Sequence, residues 1–148
     1  MPTNLIRQQL DQRDKPAPPQ RAPSAERTAT LQAGRVTVRL RLLATRTADI
    51  IWHALPLHSI VETWGDSIHF DTPLRVGRER TAKLNVAVGD VCFWTEDERV
   101  VLAWGATPIS RPNEVRLMRP CNIWATAIDD PALLAGVTPG EKAVLSRA

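Results

Sequence analysis

Residues 36–42 read Val-Thr-Val-Arg-Leu-Arg-Leu, with Val36, Val38, Leu40 and Leu42 alternating strictly with Thr37, Arg39 and Arg41. A period of two sends one face of an extended segment into a core and the other into water, and no helix sustains it. Shorter apolar pieces follow at 59–61, 68–70, 91–94, 100–104, 115–118, 123–128 and 142–145, separated by glycine, proline or charged turns. Between 73 and 88 the chain is charged and poorly periodic, a strand or long loop leading into 85–88. Only two helices are expected. Thr47 caps a short one, with Asp49 at its positive end, Ile51 and Leu55 on one face and Pro56 as its stop. Asp130 and Pro131 open another of about two turns, ended by Gly136. Thr138-Pro139-Gly140 then places proline and glycine where a type II turn needs them. Many short strands with two brief helices make the chain mainly β, with a closed or nearly closed small barrel as the expected architecture.

At 148 residues the chain suits one core plus a tail. Residues 1–34 read as a flexible, basic, proline-rich extension, since five of the twelve prolines fall there and apolar residues are sparse. Within it, 4–13 offers at most a short helix capped by Asn4. The barrel domain is then expected over 35–148. The net charge of +3 belongs to the extension: residues 1–35 hold six basic and three acidic side chains, and the rest of the chain holds 13 of each sign. A folded nucleic-acid module concentrates positive charge on its own surface, so no nucleic-acid partner is expected. No apolar run approaches the roughly 20 residues that span a bilayer, and the N-terminus lacks the apolar block of a secretory signal. The expectation is a cytoplasmic protein without a membrane partner. Cys92 and Cys121 are too few for a disulfide framework; a single bond between them stays open, and Cys92, between apolar neighbours, reads as a buried, inert thiol.

Four motifs in order carry a family resemblance: Glu62-Thr63-Trp64-Gly65-Asp66 with its flanks, Val88-Gly89-Asp90-Val91-Cys92-Phe93-Trp94, Trp104-Gly105-Ala106-Thr107-Pro108-Ile109-Ser110, and Gly140-Glu141-Lys142-Ala143-Val144. Over residues 36–148 the chain resembles the prokaryotic cyclophilin-like family of small single-domain barrels. The resemblance implies about eight strands with helices closing the ends. The N-terminal extension departs from it. The family's members are of unassigned activity. True cyclophilins isomerise X-Pro bonds with an arginine, a histidine and aromatic and amide side chains on one barrel face. Their characteristic stretches have no counterpart here, so no isomerase residue is carried over and no prolyl isomerase activity is expected.

Five tryptophans and no tyrosine are a lopsided aromatic set. Trp52 reads as helix packing. Alternation puts Trp94 on the face of Cys92, and Trp104 on the core-facing side with Val100 and Leu102. Trp64, Trp94 and Trp104 are candidates for the wall of a pocket at the barrel mouth, with Glu62, Asp66 and His69 as polar anchors. The plainer alternative is tryptophans that fill a small barrel and bond their indole N–H groups locally. Asp66 and Asp90, each following a glycine, suit turn-capping roles. His69 alternates with Ile68 and Phe70, so it faces solvent or a cleft if those two are core. His53, His58 and His69 lack metal-ligand spacing. Neither a metal nor a cofactor is expected, and no nucleophile elbow, phosphate loop or dinucleotide fingerprint occurs.

The expected function is binding of a small organic ligand or short peptide. The alternatives are acid–base chemistry on a small metabolite using Glu62 or Asp66 with His69, a divergent prolyl isomerase, or an interaction module whose arm recruits a partner. Strand edges in an incompletely closed barrel leave room for a homo-oligomer.

Overall fold

The computed structural model describes residues 26–148. The short helix expected over 4–13 and the rest of the extension through residue 25 lie outside the described residues. Ten strands run in the order β1 (Thr28–Ala33), β2 (Val36–Leu42), β3 (Leu57–Ile60), β4 (Glu62–Thr63), β5 (Ser67–Asp71), β6 (Lys83–Val86), β7 (Asp90–Trp94), β8 (Arg99–Ala103), β9 (Val115–Ala127) and β10 (Lys142–Arg147). Helix α1 (Arg46–Ala54) separates β2 from β3, and a 3-10 helix (Pro131–Gly136) separates β9 from β10.

The ordered domain starts earlier than expected. Residues 28–33, assigned on sequence to the extension, form β1, with Ala29, Leu31 and Ala33 fully buried. Two of those three apolar positions are alanines, so the alternation is weak in hydropathy although strict in space. β1 pairs with both β2 and β10. Helix α1 is capped by Thr45 rather than Thr47: the Thr45 Oγ1 accepts from Ala48 N–H at 3.0 Å, as an N-cap hydroxyl does. The pieces expected at 115–118 and 123–128 are one strand, β9. Its first part pairs with β6, and its second part with β7 and β2. Pro120, which has no N–H to donate, falls between Arg116 and Cys121, where the β6 register slips. The second helix is a 3-10 turn, with Asp130 as N-cap and Pro131 opening it as expected.

All strand pairs are antiparallel, in the order β3-β10-β1-β2-β9-β7-β8-β5-β4, with β6 lying on β9. The described residues thus hold ten strands rather than about eight, and the two ends of this order are not joined by a ladder. They are consecutive in the chain instead. β3 pairs with β10, β4 pairs with β5, and only Val61 lies between them. The Val61 side chain is fully buried. Its N–H donates to Glu141 O at 2.8 Å, and its own carbonyl accepts from Gly140 N–H at 2.9 Å. Gly140 has φ +96, the left-handed conformation a type II turn demands.

Inward-facing residues of every long strand form one core: Leu31, Leu40, Ile68, Phe70, Phe93, Leu102, Trp124 and Leu145 are all buried in it. A smaller apolar cluster lies on the opposite face of β7, β8 and β9, made of Cys92, Val101, Leu117 and Cys121, with Val86, Trp94 and Ile123 against it. Alternation predicts this split. Val91 and Phe93 enter the main core, and Cys92 and Trp94 the smaller cluster. Both cysteines are free, and burial pushes their thiols up, Cys121 to about 12. Trp52 packs under two cations: the Arg147 and Arg27 guanidinium carbons lie 4.4 Å and 5.5 Å from its ring centroid. No helix among the described residues is long and apolar enough to cross a membrane.

The irregular stretch 72–82 is held by a buried polar network. Asn122 Nδ2 donates to Thr47 Oγ1 at 3.0 Å and to Gly77 O at 2.9 Å, and Asn122 Oδ1 accepts from Glu79 N–H at 2.8 Å. Glu79 Oε2 accepts from Thr47 N–H at 3.0 Å and from the Thr47 hydroxyl. Asn122 and Thr47 are both fully buried, so each bond replaces one that water would otherwise make. Asn122→Ala leaves Gly77 O and Glu79 N–H unpaired and takes one of the two bonds of the Thr47 hydroxyl, and is expected to cost about 2–4 kcal/mol. Urea unfolding of the full chain reads this directly. A loss below about 0.5 kcal/mol, the range of a surface substitution, would show that the network carries no weight.

Candidate functional site

The six candidate residues do not form one pocket. Trp104 packs against the main core and Trp94 against the smaller cluster, on opposite faces of the sheet. Trp64 belongs to neither cluster and makes no aromatic pair with the other two among the described residues. The sequence places these residues near one another along the hairpins, but alternation and the turn at Gly65 send their side chains apart.

Glu62, His69 and Trp94 do meet, around a residue that sequence reading passed over. β4, β5, β8 and β7 are adjacent, and their outward positions include Glu62, His69, Asp71, Arg99 and Trp94. Glu62 pairs in register with His69, and Asp71 with Arg99. Arg99, whose side chain is only 21% exposed, is the hub. Its Nη1 donates to Glu62 Oε2 and, at 3.2 Å, to His69 Nδ1, while Nη2 lies 2.8 Å from Asp71 Oδ1. The His69 ring meets Trp94 edge to face, with centroids 6.4 Å apart. In the sequence Arg99 reads as the last residue of the polar loop 95–99 before the strand 100–104, whereas in the structure it opens β8.

Two donors on this face have no protein acceptor, one open to solvent and one buried. A guanidinium N–H aimed at His69 Nδ1 requires that nitrogen to be unprotonated, so the ring proton sits on Nε2. No acceptor for Nε2–H occurs among the described residues. The Trp94 Nε1–H is buried and likewise unpaired. Burial, then the neighbouring Arg99 charge, push the His69 pKa down, outweighing the opposing pull of Glu62, Asp71 and Asp97.

Asp66 serves elsewhere. The Trp64-Gly65-Asp66 turn locks against the loop after β8 by two backbone bonds, Asp66 N–H to Ala106 O and Trp104 N–H to Asp66 O, both 2.9 Å. Gly65 has φ +58, and a Cβ there would come within 2.9 Å of Ala106 O, Pro108 Cδ and Thr107 Cα. The Asp66 carboxylate lies over Gly105, 2.6 Å from where a Cβ would stand. Asp90, in contrast, caps its own turn as expected, accepting from Ala87 N–H at 2.9 Å. Three of the four motifs therefore gather at one end of the sheet through Gly65, Gly89 and Gly105, because Gly89 N–H also donates to Ala103 O. No group of three metal-ligating side chains occurs among the described residues.

The sequence model of the cyclophilin-like family matches residues 27–146. The chain belongs to the cyclophilin-like family. It is also similar to a solved structure, the solution structure of the hypothetical protein AF2241 from Archaeoglobus fulgidus. Identity is 30%, the TM-score is 0.74, and the match covers 88% of this chain and 99% of that one. No curated protein matches the chain. The family match begins at residue 27, one residue before β1, and so agrees with the earlier start of this cyclophilin-like domain.

Two outcomes follow for this site. A histidine whose folded pKa lies below its unfolded value of about 6.5 contributes nothing above that pH. It costs stability as pH falls through 6.5, because the unfolded chain takes the proton first, and the cost levels off below the folded pKa. His69→Gln should therefore flatten the loss of stability between about pH 7.5 and pH 5, measured as urea midpoints across that range; parallel wild-type and variant profiles would refute the assignment. Gly65→Ala must adopt the left-handed conformation against backbone atoms and is expected to cost about 1–3 kcal/mol or more. A calorimetric melting temperature unchanged from wild type would contradict that packing.

Proposed function

We propose that this cyclophilin-like domain is a binding module whose outer β4–β5–β8–β7 face takes a carbonyl-bearing small organic ligand or short peptide, without chemistry. The observation that carries this reading is the His69 Nε2–H, a donor without a protein acceptor that is open to solvent, set beside the edge of the Trp94 ring. A carbonyl oxygen bonded to it would take the place of water, while the buried Trp94 Nε1–H, unpaired like that of Trp124 in the main core, lies out of a ligand's reach and leaves Trp94 to contribute its ring edge. Arg99 fixes the His69 tautomer, and Glu62 and Asp71 fix Arg99. In this reading Glu62 and Arg99 are positioning residues, His69 and Trp94 are contact residues, and Asp66, Trp64 and Trp104 support the fold.

Prolyl isomerisation is not part of the reading. An arginine already held by two carboxylates and an imidazole is poorly placed to reach a substrate amide. Acid–base chemistry at Glu62 is not part of it either, because the Glu62 carboxylate is already bonded to the Arg99 guanidinium.

The test is titration of the full chain with a panel of N-acetylated dipeptide amides, followed by tryptophan fluorescence. His69→Phe keeps an aromatic ring and removes the N–H. It should weaken binding roughly 5–10-fold, the worth of one hydrogen bond. Wild-type affinity in this variant would sink the proposal.

A further inference from the structure

A groove of about 630 Å³ lies at the end of the sheet where the glycine motifs gather, away from His69 and Trp94. The turn after β6 and the loop 105–115 form it. Val86, Val88, Pro112 and Val115 supply apolar wall, and Val88 is left 55% exposed. Its floor is rigid. Ser110 Oγ accepts from Thr107 N–H at 2.9 Å and from Arg116 N–H at 3.0 Å, while the Thr107 hydroxyl donates to Arg116 O. Asn113 sits at φ +63 at the tip of the 111–114 turn, closed by Glu114 N–H to Arg111 O at 3.0 Å.

The polar groups of the groove are unevenly satisfied. Glu114 is taken: Oε1 accepts from Arg111 N–H at 3.0 Å and from Arg116 Nε at 3.1 Å, and Oε2 accepts from Arg116 Nη2 at 3.2 Å. Those bonds hold its carboxyl below the usual carboxylate range. The Arg111 guanidinium, by contrast, makes no ion pair among the described residues, and the Asn113 amide makes no hydrogen bond there. The N–H groups of Gly105 and Ala106, which also line the groove, find no acceptor among the described residues. Two carboxylates oppose an anion: Asp66, lying over Gly105, and Glu114, which lines the groove and is already offset by the Arg116 guanidinium and the Arg111 N–H. The Arg111 guanidinium, without an ion pair among the described residues, is the place for added negative charge.

We infer that this groove is a second binding site, for a small monocarboxylate with an apolar body, its carboxylate on Arg111 and Asn113 and its body against Val86, Val88 and Val115. An unpaired guanidinium offers a planar, bidentate match to a carboxylate, and apolar walls with a few placed polar groups are the usual make-up of a ligand site. The inference does not depend on the outer face.

The experiment is amide and indole NMR of the full chain, titrated with 4-phenylbutyrate, its neutral amide and the matching amine. Shifts induced by the acid should map to Val88, Gly105, Ala106 and Asn113, leaving the Trp94 indole signal still. Arg111→Gln should weaken the acid at least tenfold, and Arg111→Lys should recover part of that loss. Equal binding of acid, amide and amine would overturn the inference, as would undiminished affinity in Arg111→Gln. So would shifts confined to residues outside the groove.

Discussion

One extended segment, 57–63, belongs to both ends of the sheet, and everything else is arranged around that constraint. Its first part is the outer neighbour of β10 and its second part the outer neighbour of β5. Val61, between them, gives both its backbone groups to the Gly140–Glu141 turn and its side chain to the core. Covalent continuity thus does what a ladder does in a closed barrel. The unpaired stretch at each edge is short, which leaves little backbone to recruit another strand. The arrangement also fixes the hand of the outer face. Once Val61 points inward, Glu62 points out, and its register with His69 sets every outward residue of β5 and β8.

Strands β7, β8 and β9 are covered on both faces, unlike the rest of the sheet. The main core lies on one side and the cysteine cluster under β6 on the other. A strand buried on both faces loses the clean polar–apolar alternation of a half-buried one. That is why Val91-Cys92-Phe93-Trp94 and Val100-Val101-Leu102 are nearly continuous apolar runs. The buried Asn122–Thr47–Glu79 network sits at the margin of this doubly covered region. It holds the loop 72–82 in place without an apolar core of its own.

What was legible in the sequence was whatever alternation or turn chemistry controls. The run 36–42, the pairing of 91–94 with 100–104, the facing of Trp94 and Trp104 and the Asp130–Pro131 start all follow local rules. β1 escaped because alanine carries little hydropathy signal. The Thr45 cap escaped because Thr47, two residues on, has the same chemistry. The candidate site was half legible. Glu62, His69 and Trp94 come together, but Trp64 and Trp104 do not, since proximity in a motif says nothing about which face a side chain takes. Arg99 could not be singled out, because its role depends on three cross-strand neighbours that only register brings to it.

Arg99 also sets the protonation state of His69. Its charge is offset by Glu62 and Asp71, and its third contact freezes the His69 tautomer. A general base must accept a proton easily near neutral pH, whereas His69 is half-buried beside a cation that disfavours its protonation. The same forces that remove it as a base keep it a constant donor. In the binding reading proposed above, the neutral imidazole keeps Nε2–H as the donor that an incoming acceptor meets, and the acceptor replaces water there rather than a partner lost on folding.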